Sequence, residues 1–572
     1  VLGGLLAACG EDDDGPTATS AAPATTPTPD GAGEPTATGA GGEPSPTSPA
    51  GLEDNPRLMG LDLEPAASEG GILIQAVSGV GNDDLQSVNP LIDYESPLVS
   101  CIFERLIDIN PSTLEPVGNL AVSWESSDDG LQWVLNLRDG VSWHDGEPFT
   151  AEDVAFTYAM NLDPDTNAPD TSYLEAVIDG VEAVDEMAVA FNLSTVSVDF
   201  LADYVYWYPM VAGHILGEIA PADMAGHPSS TGEDPALVIG TGPFKFQEWV
   251  PGDHQSAVRN DAYWDGVPHL DEYVNRFVAD RVAAITLLQT GEIDVATVDP
   301  ASIGDFEDGP YTVIVTEYTG GLQALAMNLR PEITPLFEDV RVRQALYYAI
   351  DVPAAIEASN FGYGTLARSF LPETHWAFNA GDIAVSYDYD LDQAAALLEE
   401  AGWLPGPDGV REKDGERLSF RITVESGNSL NELLAQVIQE FWRAAGVETE
   451  VTALETTVFN ETVVENADFD VAFFDLYTGF TGEQGYLFAC EDNRVGYCNE
   501  EIDELYATAR AEPDPEQRAE LYREAQNILM DELPFIPLFF AQAVTVTSDR
   551  VHNYYPNTFA YPFNAETWWV SE

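Results

Sequence analysis

The strongest constraint on this chain is a unit that recurs along it: a punctuated amphipathic helix, a stop, then an alternating strand. Asp339 opens "VRVRQALYYAI", and Asp390 opens "LDQAAALLEEA" before Gly402, which stands where a left-handed residue ends a helix. Ser429 and Glu432 form a capping-box pattern ahead of Leu433, Leu434, Val437, Ile438, Phe441 and Trp442, one apolar stripe at helical spacing. Gly446 ends that helix and "VETEVTA" alternates as a strand, just as "RVAAITLLQT" meets Gly291 and continues as "EIDVATV". Helices alternating with strands build open α/β layers, and no short-period repeat suggests a solenoid or propeller.

At 572 residues the chain exceeds what one hydrophobic core commonly serves, so two or three lobes are expected. Asp and Glu number 99 against 21 Lys and Arg, which argues against nucleic acid as a partner and favours a solvated, salt-adapted surface. No stretch after the N-terminus is long and apolar enough to cross a membrane.

The first residues, "VLGGLLAACGEDDDG", end an apolar run at Leu6-Ala7-Ala8-Cys9, which resembles the lipobox of bacterial lipoproteins, with Cys9 as the diacylated residue after a signal remnant at 1–9. Residues 10–68 are Pro, Thr, Ala, Gly, Ser and acids with Arg57 as the only base, a composition that predicts a disordered linker. Folding is expected to begin near Gly70. Cys490 and Cys498 enclose "CEDNRVGYC"; outside the cell a disulfide is favoured there over two thiols or a metal pair, while Cys101 in "LVSCIFERL" reads as a small buried hydrophobe.

One segment gathers enough polar groups to raise the question of chemistry: "NLRDGVSWHDGEPFTAEDVAFTYAM" sets His144 near Asp145, Glu147, Glu152 and Asp153. Asp139-Gly140 reads as a hairpin turn into "VSW", and Asp145-Gly146 as a second turn. Thr150 stands at an N-cap with Asp153 as its partner, and the acids suit the positive end of a helix. Each carboxylate thus has a structural role. With no HExxH, CxxC pair or GxSxG, the sequence calls for no metal, no cofactor and no catalytic residue.

The same residues carry a resemblance. "LAVSWESSDDGLQWVLNLRDGVSWHDGEPFTAEDVAFTY", "GTGPFKFQEWVPGD", "NDAYWDGVPHLDEY", "LLQTGEIDVA", "FEDVRVRQALYYAID", "LDQAAALLEEAGW" and "RAELYREAQNILMDELPFIPLFF" together resemble, in order, the family 5 extracellular solute-binding proteins of ABC importers. The resemblance implies a periplasmic-binding-protein type II-like α/β fold, two lobes with an inserted domain and a ligand cleft between the lobes. Carried over, lobe one is 70–110, 239–320 and 540–572, the inserted domain 111–238, and lobe two 321–539. It also implies a monomer held at the membrane by its lipid, capturing a small peptide-like solute for permease subunits, with no chemistry of its own.

The resemblance also points to site residues. Where peptide-binding relatives carry Trp-x-x-Asp, whose Asp meets the ligand's α-ammonium, this chain has Leu476 and Gly479, with Asp475 four positions before Gly479. Glu95 matches a lobe-one Glu that faces the ligand, or is a solvated loop acid. Tyr94, Tyr477 and Phe480 offer flat faces to a ligand or pack in the core. Ser426 to Asn428 line lobe two, and Arg494 meets a ligand carboxylate or stays an exposed loop base. The missing Asp keeps an oligosaccharide ligand as the alternative within the family; outside it, the many acids leave an extracellular hydrolase using paired carboxylates as the alternative.

Overall fold

The computed structural model describes residues 55, 57–58, 61–78, 87–93, 97–110, 113–316, 321–378, 386–477, 479–490, 495–556 and 563–571. Three sheets organise them. The first has seven strands in the order Tyr311–Thr316, Ala543–Ser548, Val295–Val298, Ile72–Ser78, Glu272–Val278, His254–Arg259 and Phe244–Val250. Ile72–Ser78 runs parallel to both its neighbours, and the other pairs are antiparallel. The second has six strands, Gly364–Leu366, Phe535–Ala541, Gly321–Met327, Val471–Tyr477, Ser419–Glu425 and Glu448–Leu454, with helices Val340–Tyr348, Val352–Asn360, Leu391–Glu400 and Ser429–Ala444 among those that complete its lobe.

The third is an antiparallel sheet of four strands, Ala121–Ser126, Gln132–Leu137, Ala188–Leu193 and Ile178–Asp185, against which helix Ala151–Leu162 packs. It stands in the chain between the strands of the first sheet. The main chain passes from the first sheet to the second between Thr316 and Gly321, and returns through Gln542. Thr316 pairs with Ala543, and Leu322 with Phe540, so the two crossings lie beside each other.

Helix punctuation follows the side chains. Asp339, Asp390 and Asp280 each accept a hydrogen bond from a first-turn amide, and Gly291, Gly402 and Gly446 all take positive φ at helix ends. The cap of the helix at 429 falls one residue earlier than expected: Asn428 Oδ1 accepts from Asn431 N at 3.1 Å, and Glu432 reaches back to Gly427 N at 3.0 Å. Asn in this role leaves Ser429 free to be the first helical residue.

Two further expectations are corrected. The turn at Gly140 does not pair "VSW" with "NLR"; Ser142 bridges Pro148 instead, and the hairpin closes around Gly146. The linker expected to reach residue 68 is already docked at Arg57 and Leu58, which are 6% and 3% exposed. Arg57, the only base in that stretch, is buried among Asp108 at 2.7 Å, Asp265 at 2.9 Å and Glu566 at 3.6 Å, and donates to Phe563 O at 2.9 Å. Composition predicts low burial for such a segment, but a single guanidinium satisfied on every side fixes it.

Candidate binding cleft

Strand ends decide where a ligand can sit in an open α/β sheet: outside the carboxyl ends, where the following loops diverge. In the first sheet Glu272–Val278 leads into helix Arg281–Thr290, and Val295–Val298 into Asp299. In the second, Ser419–Glu425 leads into helix Ser429–Ala444, and Val471–Tyr477 into the segment at 479–484. Beside the crossing at Gln542, residues from both sheets, including Arg281, Asp299, Asn360, Leu430 and Leu433, line one cavity of about 380 Å³, a volume that suits a small ligand.

Near the carboxyl end of strand Val471–Tyr477, in the interior of the second sheet, stands Asp475. Its side chain is reached by water, yet enough protein surrounds it to raise its pKa through desolvation, with Glu425 adding in the same sense. Gln323 stands directly across the ladder and Asn431 lies in the first turn of the neighbouring helix; both amides favour the ionised carboxylate and so oppose that rise. Gln323 and Asn431 were not singled out from the sequence; the only signal for Gln323 was an amide inside the apolar strand "GLQALAM".

The other candidates fall in different surroundings. Ser426 is half-buried with its amide on Leu454 O at 2.6 Å, and Asn428 spends its side-chain oxygen on the helix cap. Gly479 has φ +55°, and a Cβ built there meets no atom within 4 Å, so the position faces open space. Phe480, expected either as a flat face for a ligand or as core packing, is 3% exposed and takes the second role: it packs on Tyr206 and Trp207 of the inserted region at ring separations of 5.2 and 5.7 Å, and its carbonyl accepts from Trp376 Nε1 and His375 Nε2. Tyr477 meets the same Trp207 at 5.8 Å. The physical reason is position: this loop ends where lobe two reaches the inserted region, and apolar rings are buried at that junction. Tyr94, Glu95, Arg494 and Cys9 lie outside the described residues. Cys490 and Cys498 are joined by a disulfide, with Cα atoms 4.4 Å apart.

The same junction carries charge. Thr481 Oγ1 donates to Asp203 Oδ1 at 3.0 Å, Arg518 pairs with Asp199 at 3.3 Å, Arg510 pairs with Glu483 at 3.3 Å, and Val198 N donates to Arg510 O. Burial pushes the Asp199 carboxyl up to about 6 and those of Asp203 and Glu483 above their ordinary values.

The acidic segment around His144 holds structure together. His144 Nε2 donates to Gly242 O at 3.0 Å and its Nδ1 accepts from Gly240 N at 3.2 Å; burial lowers its pKa to about 4, so the ring is neutral. A Cβ on Gly240 or Gly242 would overlap the carbonyl oxygens of Ile102 or Cys101, which explains the glycines of "GTGPFKF". Asp153 accepts from Thr150 N, Gly213 N and Trp143 Nε1 at 3.0, 3.1 and 3.3 Å. Among the described residues no three His, Cys, Asp or Glu side chains converge as a metal site.

A model of the bacterial extracellular solute-binding proteins, family 5, middle region, matches residues 115–495. The chain is 29% identical over 463 residues to the oligopeptide-binding protein AppA of Bacillus subtilis (strain 168), covering 79% of this chain and 83% of that one. It is 30% identical over 466 residues to the dipeptide-binding protein of Escherichia coli (strain K12), covering 76% and 82%. The structure of Bacillus subtilis AppA in complex with a nonapeptide superposes with a TM-score of 0.74 at 26% identity, over 88% of this chain and all (100%) of that one.

Proposed function

Because the chain belongs to the bacterial extracellular solute-binding proteins of family 5, which serve ABC importers, we propose that it captures a small peptide-like solute by closing two lobes over it and presents the closed form to a membrane permease. The observation that carries this reading is the cavity between the sheets, lined from both sides next to a paired crossing of the main chain. A guest touching both walls stabilises the closed state by the difference in its affinity for closed and open forms. The peptide class is supported by the similarity to relatives named for oligopeptide and dipeptide binding.

In this reading Asp475, Ser426 and the open position at Gly479 line lobe two, with Tyr94, Glu95 and Arg494 as the loop residues that complete the cleft. Lobe one is 70–110, 239–320 and 540–572, lobe two 321–539, and 111–238 the insertion. The body works as a monomer, tethered by a lipid on Cys9, and the solute leaves chemically unchanged. Small-angle scattering tests the core of it: addition of peptides from a broad pool is expected to shrink the radius of gyration. No compaction with any member of a pool of peptides, sugars and metal chelates would sink the capture reading.

A further inference from the structure

Resting on the capture reading, we propose that closing lobe two onto the inserted region traps a proton at Asp203, so that each guest captured draws a proton from the medium. The course of the chain decides which parts separate when the cleft opens. Lobe two is joined to the first sheet by the crossings between Thr316 and Gly321 and through Gln542. The inserted region, in contrast, is pinned to the first sheet's side of the molecule: Arg138 lies over the Trp264 ring at 4.3 Å, Lys245 Nζ donates to His144 O at 2.9 Å, and Met210 N donates to Glu104 O. Opening about the crossings therefore parts lobe two from the inserted region, and closing brings them together.

The junction that forms there sets three carboxylates against two guanidiniums. Arg518 of helix Pro515–Glu532 pairs with Asp199, and Arg510 of helix Glu500–Ala511 pairs with Glu483. Asp203 is left over: among the described residues no Arg, Lys or His forms an ion pair with it, and its Oδ1 accepts only the neutral hydroxyl of Thr481, from lobe two, at 3.0 Å. Asp199, Glu483 and Arg510 act on its charge, which in turn acts on Tyr173 and Tyr204 beside it and on Tyr522 from lobe two. Nothing there spreads the surplus. Asp199 Oδ2 and Glu483 Oε2 are themselves buried with no hydrogen-bond partner among the described residues, and the hydroxyl of Tyr522, a residue 1% exposed, donates to none of the three acids.

A buried charge without a counter-charge is costly, and a carboxylate escapes that cost by taking a proton. Burial, with Asp199 and Glu483 adding to it, holds the Asp203 carboxyl well above its ordinary 3.8, while the Thr481 hydroxyl and Arg510 act the other way. Thr481 occupies Oδ1, so Oδ2 takes the proton. When the lobes part, water reaches the acid, its proton affinity drops back toward the ordinary carboxylate value, and the proton leaves to solvent. The closed form thus holds a proton that the open form releases, and guest affinity falls as pH rises from the ordinary carboxylate range to the closed-state value.

The test uses the full chain, the variant Asp203→Asn and the tripeptide Ala-Ala-Ala, whose termini keep their charges between about pH 5 and about pH 7. Asparagine keeps the shape and the acceptor for Thr481 while fixing the neutral form. Calorimetry in two buffers of different ionisation enthalpy counts protons, and scattering reports compaction. The unaltered chain is expected to take up about one proton more per tripeptide than D203N, and its dissociation constant to rise relative to that of D203N by up to about tenfold per pH unit across that range. Glu483→Gln removes a neighbouring charge and frees Arg510 for Asp203, so it should move the window to lower pH. Equal proton counts and a flat ratio, with the tripeptide still compacting both proteins, overturn the proton trap and leave capture standing; an unmoved window in E483Q overturns it as well. Cellotriose and nickel–histidine are the alternative probes: if neither these nor the tripeptide compacts the unaltered chain, capture falls and the proton trap with it.

Discussion

Asp475 and Phe480 sit close together in one segment, and their environments part them: the acid is exposed to water, the ring is 3% exposed between Tyr206 and Trp207. Phe480→Ala should therefore cost about 3 kcal/mol or more in urea unfolding, as for other buried rings, because neighbours from two parts of the chain lose their filler. Glu566 supplies a pH signature. Burial pushes its carboxyl from 4.5 up to about 7, so between those values the folded chain holds a proton that the unfolded chain has released, and stability falls as pH rises through that window. Glu104 behaves alike, whereas buried His144 and His375, lowered from 6.5 to about 4, oppose it by losing stability as pH falls. The melting temperature of Glu566→Gln relative to the unaltered chain should thus climb between about pH 5 and pH 8; a flat or falling difference would contradict the assignment.

The docked segment that begins at Arg57 behaves as an element although it is neither helix nor strand. Removing its guanidinium leaves Asp108, 2.7 Å away, buried without its counter-charge, and Arg57→Ala should destabilise the fold by about 3–5 kcal/mol in denaturant melts. The surrounding helices were legible because caps are local: Asp339, Asp390 and the terminal glycines announce themselves within a few residues. The docking of Arg57, Leu58 and residues 61–68 was not legible, since its partners lie as much as 509 positions away at Glu566 and nothing nearby in the chain signals them. The pairing of Thr150 with Asp153 at the helix start was legible from spacing alone, but that His144 joins the segment to Gly240 and Gly242 took the folded geometry to see.

At the scale of the whole molecule the ordered run of family motifs made the two-lobe plan readable, while the placement of Phe480 was hidden because ligand walls and domain junctions draw on the same aromatic residues. The net charge of −78 acts on the body as a whole. Self-repulsion opposes compaction, and salt screens it, so the melting temperature should rise as sodium chloride goes from about 10 mM to about 1 M; an unchanged or falling value would mean that local pairs dominate.

The junction of Phe480, Thr481 and Arg518 with Asp199, Asp203 and Trp207 joins lobe two to a region whose chain ends run into the opposite sheet. Parting lobe two from this region would pull the Phe480 ring from between Tyr206 and Trp207 and strip Asp199 of its arginine.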